Sequence, residues 1–266
     1  MLRIASLHIY PVKGLHALSL EQLELETWGP LNDRRWLVVT PKGEFLTQRT
    51  MSAMARIAAH PSQTGVTLKH TDGTEHVVPY PVGKERDVRV WVDTVRGCDA
   101  GDEVAEWLSA HLGRACRLVF MIEPRAARLR NWQGQDYPVS FADEFPVLLC
   151  TEASLVDLNT RLAMPVPMAR FRPNLVVTGA SAWEEDAWVR LGVGDVELRL
   201  VKPCSRCVVT TIDQETGQTP EPGQPLKALA EFRHVPGGVM FGQNALVEKP
   251  GMIRVGDEVR VIERRA

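Results

Sequence analysis

The sequence predicts a β-rich α+β fold arranged in two units. The first hundred residues consist mainly of short apolar segments separated by Pro and Gly, a pattern typical of antiparallel strands in a barrel or sandwich. Only a few segments have the 3.6-residue apolar period of a helix. A chain of 266 residues with 44% hydrophobic residues can bury one large core or two modest cores.

Short strands account for most of the first hundred residues. The predicted strands span residues 2–10, 18–27, 36–40, 44–47, 66–70, 76–78 and 86–96. Pro41-Lys42-Gly43 predicts a tight turn, because Pro presets φ and Gly permits positive φ. Asp72-Gly73 is a strong signal for a second hairpin.

Three helices are predicted, over residues 102–112, from Thr151 to about residue 162, and over residues 226–232. Gly113 follows the first helix as a stop signal, and Thr151 can cap the second. His111 lies on the apolar face of the first helix and is interpreted as packed, not as a metal ligand. The remaining predicted strands span residues 117–121, 145–149, 175–178, 189–201 (a hairpin at Gly194-Asp195), 245–247 and 254–262.

Residues 123–142 have no periodicity and are predicted to form a linker or an active-site loop. Four side chains in this segment are interpreted as solvated, with the alternative that they shape access for a substrate or partner; they are Arg125, Arg128, Arg130 and Trp132.

Composition excludes several classes of protein. The net charge of −2 argues against a general nucleic-acid binder, so any anionic ligand must be held by a local cluster of Arg and Lys. Five irregularly spaced cysteines indicate a reducing compartment and not a disulfide framework. The N-terminus lacks the apolar region of a signal peptide, and no run approaches the ~20 apolar residues that span a bilayer. We therefore expect a cytoplasmic protein with no membrane association.

The segment Cys204-Ser205-Arg206-Cys207 is the strongest chemical signal in the chain. A thiolate binds soft metals or attacks disulfides, and neighbouring cations such as Lys202 and Arg206 favour the thiolate. Two alternatives remain open from spacing alone: a pair of ordinary half-buried cysteines, and a structural zinc or redox C-x-x-C site. A zinc site needs further ligands, and the sequence has no second C-x-x-C.

Seven segments together resemble one family. They are Ile9-Tyr10-Pro11-Val12-Lys13, Asp33-Arg34-Arg35-Trp36-Leu37-Val38, Thr151-Glu152-Ala153-Ser154-Leu155, Phe171-Arg172-Pro173-Asn174-Leu175-Val176-Val177, Cys204-Ser205-Arg206-Cys207 with Thr210-Thr211-Ile212-Asp213, Phe241-Gly242-Gln243-Asn244 and Gly256-Asp257-Glu258-Val259. In this order they resemble the MOSC family (molybdenum cofactor sulfurase C-terminal domain) preceded by a MOSC N-terminal β-barrel domain. The chain is similar to the bacterial and mitochondrial amidoxime-reducing components within it. The resemblance implies an N-terminal barrel-like domain over residues 1–120 and a MOSC β-barrel domain over residues 121–266.

The resemblance also implies an activity and a site. The family reduces N-hydroxylated compounds (amidoximes, hydroxylamines and N-hydroxylated bases), and the oxygen atom is removed at molybdenum. Cys207 matches the catalytic cysteine that binds the metal, and Cys204 is then a neighbour. The positions implied to bind the molybdenum–molybdopterin cofactor are Lys13, Gly14, Arg34, Asp143, Glu144, Phe145, Arg172, Asn174, Ser205, Arg206 and Asn244.

The sequence departs from the family at two positions. Gly14 stands where the family commonly has Ser, so a hydroxyl contact is lost or replaced by a backbone N–H. Gln214 stands where the family usually has Pro, which we expect to alter only a turn.

We also expect electrons to come from a separate donor protein (a ferredoxin, a cytochrome or a flavoprotein reductase). The chain has no further cysteines after Cys207 for an iron–sulfur domain, and no N-terminal anchor. The alternative function is a cofactor-binding, carrier or sulfur-transfer module that does not reduce N-hydroxylated substrates.

Overall fold

The computed structural model of the protein describes residues 1–122 and 128–265. These residues form twenty-two short or medium strands and three α-helices, so the predicted β-rich α+β class is confirmed. The helices are α1 (Asp102–Leu112), α2 (Glu152–Asn159) and α3 (Leu226–Phe232). No helix within the described residues is both long and apolar enough to cross a membrane.

The strands fall in two groups along the chain. Those of the first half are β1 (Arg3–Ile9), β2 (Val12–Lys13), β3 (Leu18–Leu20), β4 (Gln22–Glu26), β5 (Gly29–Pro30), β6 (Trp36–Val39), β7 (Ile57–Pro61), β8 (Gly65–His70), β9 (Glu75–Pro79), β10 (Glu85–Val90), β11 (Asp93–Asp99) and β12 (Arg117–Phe120). Those of the second half are β13 (Leu129–Trp132), β14 (Gln135–Pro138), β15 (Val147–Thr151), β16 (Leu175–Thr178), β17 (Trp188–Val193), β18 (Val196–Ser205), β19 (His234–Val235), β20 (Gly238–Lys249), β21 (Gly251–Arg254) and β22 (Val259–Arg264).

The largest sheet contains strands from both ends of the chain. Its order is β22-β17-β18-β20-β15-β16-β1-β3, and β19 pairs with β20. Strand β1 runs antiparallel to β16, with Leu7 opposite Leu175. Ile4, Leu7, Trp188 and many Val and Leu side chains bury one continuous core against it. The predicted boundary at residues 120 and 121 stays a prediction, and β1 is hydrogen-bonded to β16, which lies beyond it.

The rest of the first half forms a second region. One sheet has the order β10-β11-β12-β6-β2 and another the order β7-β8-β9, and α1 packs against this region through Leu108. Two smaller sheets have the orders β21-β4-β5 and β13-β14. Within residues 1–122 and 128–265 the first and last strands of each sheet are not paired with each other, so no sheet forms a closed barrel. The sheets are therefore described as barrel-like.

All three helices match their predicted starts. Gly113 adopts φ 63°, the left-handed conformation in which a missing Cβ avoids a clash, and it ends α1 as expected. The Thr151 hydroxyl accepts a hydrogen bond from the Ser154 backbone N–H and caps α2, as predicted. Helix α2 ends earlier than expected, at Asn159, and α3 has the predicted bounds.

Several local predictions were wrong. Residues 86–96 form the β10–β11 hairpin and not one strand; the turn lies at Trp91-Val92, where Trp91 has φ 58° and neither central residue is Gly, Asn or Asp. Residues 18–27 likewise divide into β3 and β4, and residues 254–262 divide between β21 and β22. The strand expected at residues 44–47 is reduced to isolated bridges, such as that between Val39 and Phe45. Part of the predicted loop at 123–142 is the β13–β14 hairpin. Residues 123–127, including Arg125, lie outside the described residues.

Candidate active site

A cleft of about 580 Å³ lies where the two halves of the chain meet. All twelve residues predicted from the sequence line it, although they come from positions 13 to 244; they are Lys13, Gly14, Arg34, Asp143, Glu144, Phe145, Arg172, Asn174, Ser205, Arg206, Cys207 and Asn244. The structure therefore brings the predicted site together in one place. What each residue binds stays a prediction.

The cleft is far more cationic than the chain as a whole. Six lining side chains are cationic and two are carboxylates, against a net charge of −2 for the protein. The cations are Lys13, Arg34, Arg49, Arg130, Arg172 and Arg206, and the carboxylates are Asp143 and Glu144. Such a local excess is what an anionic ligand needs in a near-neutral protein.

Lys13 sits on β2 and is only 7% exposed. Its Nζ donates to the Phe141 carbonyl at 2.7 Å and to Asp143 Oδ1 at 2.5 Å. Burial lowers the pKa of Lys13 to about 8, and the Asp143 carboxylate opposes this shift. Lys13 and the Trp91 indole N–H together hold the pKa of the Asp143 carboxyl well below its usual range.

Arg34 and Arg172 both contact the Tyr10 ring. Their guanidinium carbons are 4.5 Å and 4.2 Å from the ring centroid, within range for a cation–π contact. Arg34 Nη1 also forms a short ion pair with Asp33, a carboxylate that is 2% exposed. Burial raises the pKa of Asp33, and Arg34 opposes that shift. Both arginines are thus fixed in orientation before any ligand arrives.

Asn174 lies at the base of the cleft and is 1% exposed. Its side-chain Oδ1 accepts from the Leu148 backbone N–H at 3.1 Å and from Arg34 at 3.3 Å. Its Nδ2 donates to the His8 carbonyl at 3.1 Å and to Asp33 at 3.2 Å. The amide therefore joins β1 to β15 and supports Arg34.

Arg172 is held without a direct carboxylate partner. Its guanidinium donates to the Leu15 carbonyl and to Gln214 Oε1, each at 2.8 Å. Burial lowers the pKa of Arg172 to about 10, so the side chain stays charged at neutral pH. The Gln214 side chain also pairs with the Gln48 amide through two 3.0 Å hydrogen bonds. The expectation that Gln214 alters only a turn was wrong, because its buried amide positions a cleft arginine.

The cysteine segment forms the opposite wall. Strand β18 ends at Ser205, and a 3₁₀ turn begins directly after Cys207. Arg206 donates to the Phe171 carbonyl at 2.6 Å and to Cys204 Sγ at 2.9 Å. Cys207 is half-buried, and in the part of the chain that the structure describes no polar group hydrogen-bonds its Sγ. The second thiol of the pair is therefore the one left available to a ligand.

The remaining predicted residues lie around the rim. Glu144 pairs with Lys202 at 2.8 Å and accepts a longer hydrogen bond from Asn244. The Lys202 ammonium lies 5.8 Å from the Phe145 ring centroid. The Ser205 hydroxyl donates to the Gly237 carbonyl at 3.1 Å.

Gly14 needs its lack of a side chain. It has φ 84°, and a Cβ there would lie 2.8 Å from the Met54 Cε. Its carbonyl accepts a hydrogen bond from Gln48 Nε2 at 2.8 Å.

Several cleft residues carried no signal in the sequence. Trp91 projects from the unpredicted hairpin turn, and the Arg49 guanidinium lies 4.4 Å from its ring centroid. Arg130 lines the cleft, as one of the two interpretations of its segment allowed. Arg128 does not: its side chain is buried and donates to the Ser140 and Ala142 carbonyls. Trp132 instead meets the Phe145 ring edge-on at 5.9 Å.

Backbone strain is concentrated at the cleft. Among the described residues, six that are not glycine have clearly positive φ, and Arg34, Trp91 and Arg172 line the cleft. Arg172 also precedes Pro173, which normally pushes the preceding residue to extended conformations. Each such conformation costs on the order of 1–3 kcal/mol and persists only where surrounding contacts enforce it. That distribution is typical of a functional site.

Comparison with known proteins identifies the family of the chain. Residues 1–115 match the family described as the MOSC N-terminal beta barrel domain, and residues 136–260 match the MOSC domain. The chain is 34% identical to the mitochondrial amidoxime-reducing component 1 of Mus musculus, over 97% of this chain and 82% of that protein. It is 35% identical to the mitochondrial amidoxime reducing component 2 of Homo sapiens, over 96% and 82%.

A crystal structure of the YUAD protein from Bacillus subtilis aligns with 97% of this chain and 94% of that chain, at 14% identity and a TM-score of 0.45. The sequence matches cover nearly the whole chain in one order, N-terminal domain first. The chain therefore belongs to the MOSC family, in the form in which a MOSC N-terminal β-barrel domain precedes the MOSC domain.

Proposed function

We propose that this protein is a molybdenum-dependent reductase of N-hydroxylated compounds, including amidoximes, hydroxylamines and N-hydroxylated bases. The observation that carries the proposal is the Cys207 thiol, which faces a strongly cationic cleft and has no hydrogen-bond partner among the described residues. The names of the amidoxime-reducing relatives support the substrate class.

The side chains present fit a molybdenum–molybdopterin cofactor. A thiolate is a suitable ligand for a metal that already carries sulfur ligands. The phosphate of the cofactor needs several cations, and six line the cleft. One buried polar atom, Arg206 Nε, lacks a hydrogen-bond partner within residues 1–122 and 128–265, which suits a site completed by a ligand. The cleft volume of about 580 Å³ is within the usual range for cofactor sites.

In this proposal Cys207 Sγ binds the metal, while Lys13, Arg34, Arg172 and Arg206 hold the phosphate and pterin. Ser205, Asn244 and the 143–145 segment contact the pterin, and Asn174 supports Arg34 from below. When bound, the cofactor supplies two-electron chemistry at the N–O bond.

Substrate access is shaped by aromatic side chains. Phe45, Trp91 and Phe145 line the cleft, and the Phe45 and Trp91 rings meet edge-on at 4.8 Å. Flat apolar walls suit planar amidine-like substrates, while the cations near Cys207 keep the ligand oriented. Electrons come from a separate donor protein, a ferredoxin, a cytochrome or a flavoprotein reductase.

One contact favours the alternative, a carrier or sulfur-transfer module. Cys204 Sγ accepts a hydrogen bond from the Arg206 guanidinium at 2.9 Å, so a second thiol of the cleft contacts a cation. If Cys204 is the working thiol, then the chain handles sulfur and does not reduce substrates.

The test measures molybdenum and activity in the full chain made by a cofactor-producing host. We compare the parent protein with Cys207→Ser and with the matched control Cys204→Ser. We expect near-stoichiometric molybdenum in the parent and in Cys204→Ser, and essentially none in Cys207→Ser. The loaded parent is expected to oxidise a reduced dye when a hydroxylamine is added.

Three results would contradict the proposal. Molybdenum retained in Cys207→Ser would remove Cys207 as the ligand. A loaded parent that fails to reduce any N-hydroxylated compound would favour the carrier function. Zinc in place of molybdenum, lost equally in both variants, would indicate a C-x-x-C metal site.

A further inference from the structure

A second cluster of metal-binding side chains lies in the first half of the chain, outside the cleft. His70 ends β8, Asp72 lies in the turn that follows, and His111 lies in the last turn of α1. One ligand atom from each residue lies within 4.8 Å of the others, and none of the three lines the cleft. His111 lies about 40 positions after His70 and Asp72 in sequence, yet the fold brings one donor atom from each of the three to one point.

The Asp72 carboxylate is oriented by the turn itself. Its Oδ1 accepts from the Thr74 backbone N–H at 2.9 Å and from the Thr74 hydroxyl at 2.7 Å. Its Oδ2 faces His70 Nδ1 at 2.9 Å and His111 Nε2 at 3.5 Å. One oxygen is therefore held by the protein and the other is directed between two imidazoles.

His111 is fixed in the tautomer that binds metals. Its Nδ1 lies 2.8 Å from the Trp107 carbonyl, which can only accept, so the neutral ring carries its proton on Nδ1 and its lone pair on Nε2. A backbone carbonyl on the far nitrogen is the usual support of a metal-binding histidine. The Thr74 hydroxyl lies 2.8 Å from Nε2, and its one proton is shared between that nitrogen and Asp72 Oδ1.

His70 Nδ1 faces the same point. Asp72 Oδ2 can only accept and lies 2.9 Å from this nitrogen, so without an ion Nδ1 carries the proton between them, and a bound ion replaces that proton. The His70 side chain is only 9% exposed, and its ring lies 4.6 Å from the His111 ring, between centroids, at a tilt of 54°. Burial on this side limits how far the ring can turn away.

We propose that His70, Asp72 and His111 form a site for a divalent transition-metal ion such as Zn²⁺. Two imidazole nitrogens and one carboxylate oxygen are common zinc ligands, and a fourth position stays open to water. In a tetrahedral zinc site adjacent ligand atoms lie about 3.3 Å apart, and the distances from Asp72 Oδ2 to the two nitrogens lie on either side of that value. The Asp72 side chain is 45% exposed, which gives an ion a route in.

A bound ion would join the β8–β9 turn to the end of α1. Because the ion binds only when these elements are in place, it stabilises the folded first half by mass action. The site does not depend on the molybdenum proposal, since its residues are separate from the cleft.

The test uses the full chain and measures the visible absorption of bound Co²⁺. It then measures the loss of that absorption when Zn²⁺ displaces the Co²⁺. The ligand variants are Asp72→Asn, which can keep the hydrogen bonds from Thr74, and His111→Gln. The controls are His234→Gln, an exposed histidine outside the cluster, and the double variant Cys204→Ser/Cys207→Ser, which removes the accessible thiol pair.

We expect one equivalent of Co²⁺ with nitrogen and oxygen ligation in the parent and in both controls. Each ligand variant should lose at least about 10-fold in affinity, the loss usual even for supporting residues. Zn²⁺ should raise the thermal unfolding midpoint of the parent and not of His111→Gln. The proposal is overturned if the ligand variants bind as the parent does, or if binding disappears only in the double cysteine variant.

Discussion

The two walls of the cleft hold their cations in different ways. On the wall from the first half of the chain, Lys13 and Arg34 each contact a carboxylate, from Asp143 and Asp33. On the wall from the second half, Arg172 and Arg206 are held by carbonyls, an amide and a thiol. A carboxylate orients a cation and cancels much of its charge, whereas a carbonyl orients it and leaves the charge in place. The first wall therefore fixes geometry, and the second supplies the attraction for an anion.

The largest expected effect concerns the stability of the first wall. Asp33→Asn removes the buried partner of Arg34, and breaking a buried ion pair costs about 3–5 kcal/mol. Asp143→Asn is the matched control, because the Asp143 side chain is 59% exposed and such pairs contribute about 0–1 kcal/mol. Urea unfolding of both variants measures the difference. Equal losses in the free energy of unfolding would mean that the Asp33–Arg34 pair contributes no more to stability than the Asp143–Lys13 pair.

The second prediction concerns anion affinity on the other wall. Arg172→Gln removes a cation whose charge no carboxylate contacts directly, and hydrogen bonds to charged groups contribute about 1.5–3 kcal/mol. We expect cofactor affinity to fall about 10- to 100-fold, with little change in stability. Arg34→Gln should show the reverse pattern, a larger loss of stability than of affinity. If both variants lose affinity equally, the contrast between the walls fails.

The third prediction concerns the amide that holds Arg172. Gln214→Leu removes the acceptor of one Arg172 hydrogen bond and of one Gln48 hydrogen bond, at a cost of about 2 kcal/mol. The control is Gln218→Leu, an exposed glutamine in the same loop, for which we expect no measurable change. Chemical denaturation compares the two, and a neutral Gln214→Leu would show that Leu15 alone positions the arginine.

The smallest effect is a pH dependence of the first wall. Lys13 loses its proton near pH 8 in the folded protein but at its ordinary value of 10.5 when unfolded. Sulfate affinity should therefore fall about 5-fold as the pH rises through about 8, because the largely buried Lys13 ammonium loses its charge. Sulfate keeps its own charge in this range, so the change reports the protein.

The same proton affects stability with the opposite sign. Between about pH 8 and 10.5 the unfolded chain binds more protons than the folded chain, so the contribution of Lys13 to folding stability rises with pH. Lys13→Met should remove both slopes. A slope in sulfate affinity that persists in Lys13→Met would assign it to another group.

Local signals predicted the fold well where they were complete. Helix α1 has apolar residues at the right period and Gly113 at its end, so both bounds are right. The turn at Trp91 has no such residue, because its positive φ is enforced by contacts with Asp143 and Arg49 that lie far away in sequence. Sequence patterns report local preference, and this turn is set by tertiary contacts.

The candidate site divides in the same way. The twelve predicted cleft residues follow from an ordered resemblance, since charge and spacing alone allow Lys13 or Arg172 to be surface residues. In the sequence Asp33 is only one member of a motif, and Gln214 indicates only a turn. Their roles depend on burial and on partners more than a hundred residues away, as with Asp33 and Asn174. No pattern in a single sequence records such contacts.

The place of β1 has a consequence for how the chain is made. Its partner β16 follows about 170 residues later, with Leu7 opposite Leu175. At about 5–20 residues per second, the ribosome needs on the order of ten seconds or more to supply that partner. Throughout this interval β1 has only the short strand β3 beside it in the sheet, and its edge toward β16 stays unpaired. Chaperone contact with the nascent chain is thus expected early in synthesis, and the large sheet can be completed only after β22 has been made.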